Sequence, residues 1–236
     1  MKQTKIKVTL LSHTKDPERT IVAAIRQCYS PLSGYELWEK VSDDQKRKLI
    51  RQVISSGHTS TIEHASFTFA IEGVSRVTEV QTVRHRIGAS YSIKSGRYNP
   101  SHSDFVVPPK IAANTEAMKV ADDFKKDIDK MIEKFTKLGF AFEDIRYLTP
   151  QGTKTNFIMT MNARALFNFF AERLCLRTQW EIRQMATQIL AECLKIAPNV
   201  FKYAGPTCVT EKICWQGKMN CGKPEKNKSI ELRERF

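Results

Sequence analysis

Ser66-Phe67-Thr68-Phe69-Ala70-Ile71 decides how this chain is built. Phe67, Phe69 and Ile71 alternate with Ser66, Thr68 and Ala70, and a period of two turns every second side chain to the same side. The stretch predicts a strand with one buried face. Thr153 to Met161 repeats the signal, with Phe157, Met159 and Met161 together on one side. Near the N-terminus Ile6, Val8 and Leu10 alternate with polar residues, which predicts a strand and not a signal peptide.

Around these strands the period becomes helical. Glu18 to Tyr29 carries Ile21, Val22, Ile25 and Cys28 on one stripe, and Asp43 to Ser56 carries Leu49, Ile50, Val53 and Ile54. Gly57 supplies the left-handed stop of the second. Val74 to Arg86 predicts a helix, whereas Ser90 to Pro109, rich in Ser, Gly and Pro, predicts a loop. A long amphipathic helix is expected from about Asn114 to Leu138, stopping at Gly139. Helices over Ala163 to Arg173 and Thr178 to Ile196 follow, the last ended by Pro198. No internal repeat or long linker divides the sequence. The expectation is one α+β domain over residues 1–236, with a cysteine-containing tail from about residue 205.

The composition agrees with a folded protein. Of 236 residues 41% are hydrophobic and 27% charged, so a disordered chain is excluded. No run approaches the roughly 20 apolar residues of a membrane span. Six cysteines are too few for a disulfide scaffold at this length, so a reducing cytoplasm is expected. Lys and Arg exceed Asp and Glu by 38 to 25, a net charge of +13, which points to anionic partners of any size. The lysines between Lys110 and Lys137 alternate with acids and read as a solvated helix face.

Common nucleotide machinery is missing. There is no GxxxxGK[ST] loop, no GxGxxG fingerprint, no GxSxG elbow and no HExxH. Three clusters remain. His58-Thr59-Ser60-Thr61-Ile62-Glu63-His64 holds potential metal ligands at a spacing no common zinc site uses. The favoured reading is a turn whose Glu63 and hydroxyls satisfy backbone donors. Gln81-Thr82-Val83-Arg84-His85-Arg86, running on to Lys94-Ser95-Gly96-Arg97-Tyr98, has the composition of an anion site or of a basic surface loop. Asn162-Ala163-Arg164, Asn168, Arg173, Arg177 and Gln179-Trp180-Glu181 form the third. Arg164 and Asn168, four residues apart, project from one helix face, and buried arginines of the cluster need acceptors, from a ligand phosphate or carbonyl or from salt bridges to Glu172 or Glu181.

Taken together the clusters resemble the flavin-dependent thymidylate synthases. His58-x4-Glu63-His64, Gln81-x2-Arg84-His85-Arg86, Ser95-x-Arg97-Tyr98, Glu143-x2-Arg146, Asn162-x-Arg164-x3-Asn168-x4-Arg173 and Gln179-Trp180-Glu181 occur in the family's order, over about Ile21 to Phe201. The Arg-His-Arg triplet is the most specific part. One departure stands out: eight residues, Ile87 to Lys94, separate the triplet from its serine where the family usually has seven. The extra residue falls near Gly88 or Ala89, and Ile93 takes a place where the family commonly has a polar residue.

The resemblance implies an α+β fold with a mostly antiparallel sheet packed by helices, assembled as a homotetramer with active sites between subunits. It implies conversion of dUMP to dTMP with FAD, methylenetetrahydrofolate as carbon donor and NADPH as reductant, in the cytoplasm, with no nucleic-acid or membrane partner. Ser60, Arg84, His85, Arg86, Asn162, Arg164 and Asn168 would bind FAD. Gln81, Arg84, Lys94, Ser95, Gly96, Arg97, Arg146 and Arg173 would bind dUMP, with Arg173 catalytic. His58 would line the same pocket. No resident metal is implied. A basic RNA- or nucleotide-binding module without catalysis is the alternative, and a flavin-dependent tRNA methyltransferase is disfavoured because it would need a dinucleotide fingerprint. Cys28 and Cys193 fall on apolar helix stripes and read as structural. Cys175, Cys208, Cys214 and Cys221 read as free thiols or as a tetrahedral zinc site without a CxxC knuckle.

Overall fold

Phe67, Phe69, Ile71, Phe157, Met159 and Met161, the apolar sides of the two predicted strands, are all buried in the computed structural model. The structure describes residues 5–98 and 104–222. In chain order the elements begin with β1 (Lys7–His13), α1 (Pro17–Gln27), α2 (Gly34–Glu39) and α3 (Asp43–Ser55). Next come β2 (Ser66–Ser75), α4 (Arg76–Thr82), β3 (Ala89–Ile93), α5 (Pro109–Ala112), α6 (Thr115–Lys137) and α7 (Phe142–Ile145). The chain continues through β4 (Lys154–Asn162), α8 (Ala163–Arg173), α9 (Trp180–Ile196), α10 (Pro198–Phe201) and α11 (Thr207–Thr210). None of the described helices is long and apolar enough to cross a membrane.

The strands form one sheet in the order β1-β2-β4-β3. Thr68 faces Thr160 through a 2.9 Å hydroxyl contact, and Gly73 N–H donates to Asn156 Oδ1 at 3.0 Å, so β2 and β4 run antiparallel. Lys94 N–H to Asn156 O and Asn162 N–H to Gly88 O set β3 antiparallel to β4 in the same way. The α+β class with an antiparallel sheet is therefore as expected.

Two boundaries differ from the sequence expectation. β2 does not stop at Ile71: Gly73, at φ 72°, shifts the alternation by one residue so that Val74 and Ser75 are buried. Ser75 then caps α4 by accepting from Thr78 N–H, and the helix runs only Arg76–Thr82, shorter at both ends than Val74 to Arg86. The expected loop after Ser90 contains β3 instead; residues 99–103 of that loop lie outside the described residues.

Cα packing divides the chain into two compact units. The first comprises Ile71–Arg84 and Tyr91–Ile158 with the chain up to Lys7. In it α6 is capped by Asn114, ends at Gly139 (φ 86°) and buries Ile128. Its outer face carries the pairs Lys125–Asp129, Lys126–Asp123 and Lys137–Glu133, the solvated face expected. The second unit comprises Val8–Ala70, His85–Ser90 and the chain from Met159. Its core is aromatic: Phe201 meets Phe67 at 5.3 Å and Phe170 at 6.2 Å, both edge-on. α2, absent from the sequence reading, is started here by a Ser33–Glu36 capping box and buries Leu37. Cys193 is fully buried as expected, but Cys28 is exposed at the end of α1, where its thiol donates to Ala24 O.

Candidate active site

Within the first unit α4 and the end of β3 wall a cavity of about 500 Å³. α4 is seated by two backbone bonds, Arg76 N–H to Thr153 O at 3.0 Å and Val77 N–H to Gln151 O at 3.2 Å. Lys94, Ser95 and Gly96 leave β3 and pass along the cavity, and Arg146 enters it from the turn after α7. Three cations, Arg76, Lys94 and Arg146, face one carboxylate, Glu79. Ser95 Oγ accepts from Arg97 N–H at 3.1 Å, which closes the turn that follows. Arg97 points away from the lining and pairs with Glu143 at 2.8 Å; Arg146 Nε donates to the Glu143 carbonyl. Of the residues expected to hold the nucleotide, Lys94, Ser95, Gly96 and Arg146 thus share one cavity. Gln81, whose side chain bonds to Val77 O, together with Arg84 and Arg97, does not line it. Arg76, Glu79 and Gln151 line it without having been singled out from the sequence.

The second unit holds the other expected residues apart from Arg84, and two local arrangements stand out in it. Asn162 caps α8, its Oδ1 accepting from Ala165 N–H at 2.8 Å. Asn162 N–H bonds to Gly88 O, and Gly88 sits at φ 67°, where an added Cβ would come within 2.6 Å of Asn162 Nδ2. The turn at Gly88, near which the additional residue of the segment 87–94 is expected, favours glycine on both counts. Among the described residues Glu63 serves a side chain and not the expected backbone donors: its Oε1 accepts from Arg164 Nη1 at 2.5 Å, both side chains about half exposed. Ser60, Arg86, Arg164 and Asn168 are exposed.

The other arrangement is built around His85. Its ring packs edge-on against Phe169 at 5.0 Å, and Arg173 Nε donates to His85 Nε2 at 2.9 Å. The imidazole side chain is 10% exposed and the Arg173 side chain 18%. Glu172 lies 3.4 Å from Arg173 Nη2, the bland salt bridge expected from sequence. As the acceptor from a guanidinium, Nε2 must be unprotonated. Burial, then the Arg173 charge, hold the His85 pKa below its ordinary value, with Glu172 opposing.

A pH dependence follows. Above about pH 6.5, the ordinary histidine value, His85 is neutral whether the chain is folded or not. As pH falls below that, the unfolded chain takes up the proton first, so stability drops until the folded pKa is also passed. Activity that relies on the Arg173–His85 bond should therefore persist below pH 6.5 and fail only in more acid solution. A pH–rate profile together with His85 NMR titration checks this; an acid limb above pH 6.5 assigned to His85 would contradict it.

Among the described residues no group of three or more His, Cys, Asp or Glu side chains is arranged to hold a metal. Cys175, Cys208, Cys214 and Cys221 form no disulfide and are free thiols. Burial raises the Cys208 pKa, helped by the other three sulfurs.

The chain is similar to known proteins in sequence and in fold. The family profile described as "Thymidylate synthase complementing protein" matches residues 9–199. The flavin-dependent thymidylate synthase of Clostridium tetani is 41% identical over 244 aligned positions, covering 96% of this chain and 97% of the relative. That of Nitratidesulfovibrio vulgaris is 40% identical, covering 94% and 97%. Among solved structures, the UMP/dUMP methylase PolB from Streptomyces cacaoi, bound with 5-Br dUMP, superposes with a TM-score of 0.73. It is 22% identical, with 85% of this chain and 94% of that chain covered, and so speaks for the fold.

Proposed function

The chain belongs to the flavin-dependent thymidylate synthase family, and on that premise we propose which of its residues carry the reductive methylation of dUMP to dTMP. Bound FAD supplies the hydride, drawn from NADPH, and methylenetetrahydrofolate supplies the carbon. The protein's part is to bind, orient and polarise.

The observation that carries the reading is the cavity in which Lys94, Ser95, Gly96 and Arg146 meet. Two cations, a hydroxyl and a glycine backbone suit a nucleotide monophosphate, since guanidinium and ammonium groups supply charge and Gly96 permits close approach. Gln81, Arg84 and Arg97 complete the dUMP set. Arg173 acts on the base. Carbon 5 of uracil is a weak nucleophile until negative charge builds on the ring, and a permanent cation beside that ring stabilises the charge without a covalent thiol. His85, as neutral acceptor of the Arg173 Nε–H, fixes the plane of the guanidinium.

The donors of the second unit fit FAD by their chemistry. Arg86 and Arg164 are exposed guanidiniums suited to a diphosphate, and Ser60 and Asn168 offer exposed hydroxyl and amide groups. Asn162 uses its carbonyl as the α8 cap, so its amide NH₂ is the part directed to a ligand. The exposed Arg164–Glu63 pair is worth about 0–1 kcal/mol and yields readily to a diphosphate. Arg84 belongs to both ligand sets. A homotetramer in the cytoplasm, in which one subunit supplies the cavity and another Arg173, completes the proposal.

Ser95 is assigned to binding and not to attack: its hydroxyl oxygen accepts the Arg97 amide, which holds it at the turn that lines the cavity. Ser95→Ala should weaken dUMP binding by about 0.5–1.5 kcal/mol and leave measurable turnover. Steady-state kinetics check it; complete inactivity, or a trapped Ser95–uracil adduct, would reverse the assignment. The function itself is tested by expression in a thymidylate-synthase-deficient host. Growth without thymidine is expected, and failure of a well-expressed, flavin-loaded protein to support it would overturn the reading.

A further inference from the structure

Glu79 is the one carboxylate lining the cavity among the described residues, and a carboxylate is an unfavourable neighbour for a phosphate. Left alone it would repel the dianion or capture Lys94 or Arg146. The structure gives it another partner. Arg76 Nη1 donates to Glu79 Oε2 at 2.6 Å, with the two side chains only 27% and 14% exposed. The second arm of the same guanidinium, Nη2, donates to the Lys94 carbonyl at 2.8 Å.

Lys94 is thereby held on both sides of its peptide. Its N–H is bonded to Asn156 O of β4 at 2.9 Å, and its C=O is bonded to Arg76. The residues that follow, Ser95 and Gly96, start from a fixed point. Arg76 is fixed in turn, because it is the first residue of α4 and its own N–H is bonded to Thr153 O.

We propose that Arg76 is a positioning residue for the nucleotide: it neutralises Glu79, so that the carboxylate does not repel the phosphate, and it pins the Lys94–Gly96 loop. The role suits arginine because a planar fork can bridge a carboxylate and a carbonyl at once, whereas a lysine ammonium on a flexible stem holds one of them. The inference rests on the reading of this cavity as the dUMP site.

Arg76→Met frees Glu79 and the loop together. With FAD-loaded protein, KM for dUMP should rise about tenfold or more, the size expected when a charge-assisted network is broken. Turnover at saturating dUMP should fall far less, since Arg76 does not touch the reacting atoms. Inhibition by inorganic phosphate should weaken in parallel. Glu79→Gln alone should bind dUMP at least as tightly as wild type, and Arg76→Met/Glu79→Gln should recover much of the lost affinity, because the exposed negative charge is gone. If the double variant stays as weak as Arg76→Met, Arg76 is itself a phosphate ligand and the proposal is overturned. If turnover and flavin content fall together with affinity, the residue is merely structural, which also overturns it. Should Arg76→Met fail to fold, Arg76→Lys provides the same comparison, with a smaller rise in KM expected and no rise refuting the proposal. Ser95→Ala separates the two layers of the argument. If it weakens dUMP binding while Arg76→Met does not, only the Arg76 role fails; if neither matters, the cavity is not the dUMP site.

Discussion

Arg173→Ala should raise the activation free energy by about 2–4 kcal/mol, slowing turnover by roughly one and a half to three orders of magnitude, while the chain keeps its fold and its flavin. The guanidinium is held by a 2.9 Å bond to a neutral, largely buried His85, so the charge is oriented before substrate arrives. Such a charge acts on the developing negative charge of the ring and is worth most where water is excluded. Arg173→Lys should not restore the rate, since the ammonium cannot keep the bond to His85 and present a second donor in the same plane. Single-turnover rates at saturating dUMP, with flavin absorbance as control for cofactor content, measure the effect. Near-normal turnover in the alanine variant would remove Arg173 from the chemistry.

The second large effect is on stability. Phe169 is fully buried in α8 and touches the His85 ring at 5.0 Å and Phe170 at 6.0 Å. Phe169→Ala should cost about 3–5 kcal/mol of folding free energy, the usual range for an aromatic truncated inside a packed core. It should also reach the site, because the wall that dries His85 is removed. The His85 pKa would then climb back toward its ordinary value and the acid limb of activity would move up with it. Denaturant unfolding gives the first quantity and a pH–rate profile the second. A loss below about 1 kcal/mol, or an acid limb that does not move, would show that Phe169 does not support His85 in this way.

Strands with one apolar side were readable because burial enforces their period: Phe67, Phe69 and Ile71 in β2, and Phe157, Met159 and Met161 in β4, are buried as the alternation requires. α6 and α8 were readable for the same reason at the helical period, with Asn114 and Asn162 as caps. β3 was hidden because Ala89-Ser90-Tyr91-Ser92-Ile93 alternates only weakly and ends in Ser- and Gly-rich sequence. Its edge position in the sheet, a tertiary fact, makes it a strand. The extension of β2 through Gly73 was hidden by a positive φ that no propensity reveals.

At the site, family motifs named Lys94, Ser95, Gly96, Arg146, His85 and Arg173 but not the contacts among them. The Arg164–Glu63 pair spans 101 residues and the Arg173–His85 bond spans 88, separations at which spacing carries no information. Arg76 and Glu79 were missed differently. An Arg and a Glu three apart on a helix usually form a solvated pair, and only the arrival of the Lys94 carbonyl gives this pair a role at the cavity.

The central claim is that the chain makes dTMP by flavin chemistry with its own arginine in place of a thiol. It is tested most directly by mixing the purified, FAD-loaded protein with dUMP, methylenetetrahydrofolate and NADPH and separating the nucleotide products. The prediction is dTMP formation that disappears when the flavin is stripped, returns when FAD is restored, and survives replacement of the buried Cys193 by alanine. No dTMP from the loaded protein, or undiminished dTMP from the stripped protein, would contradict it.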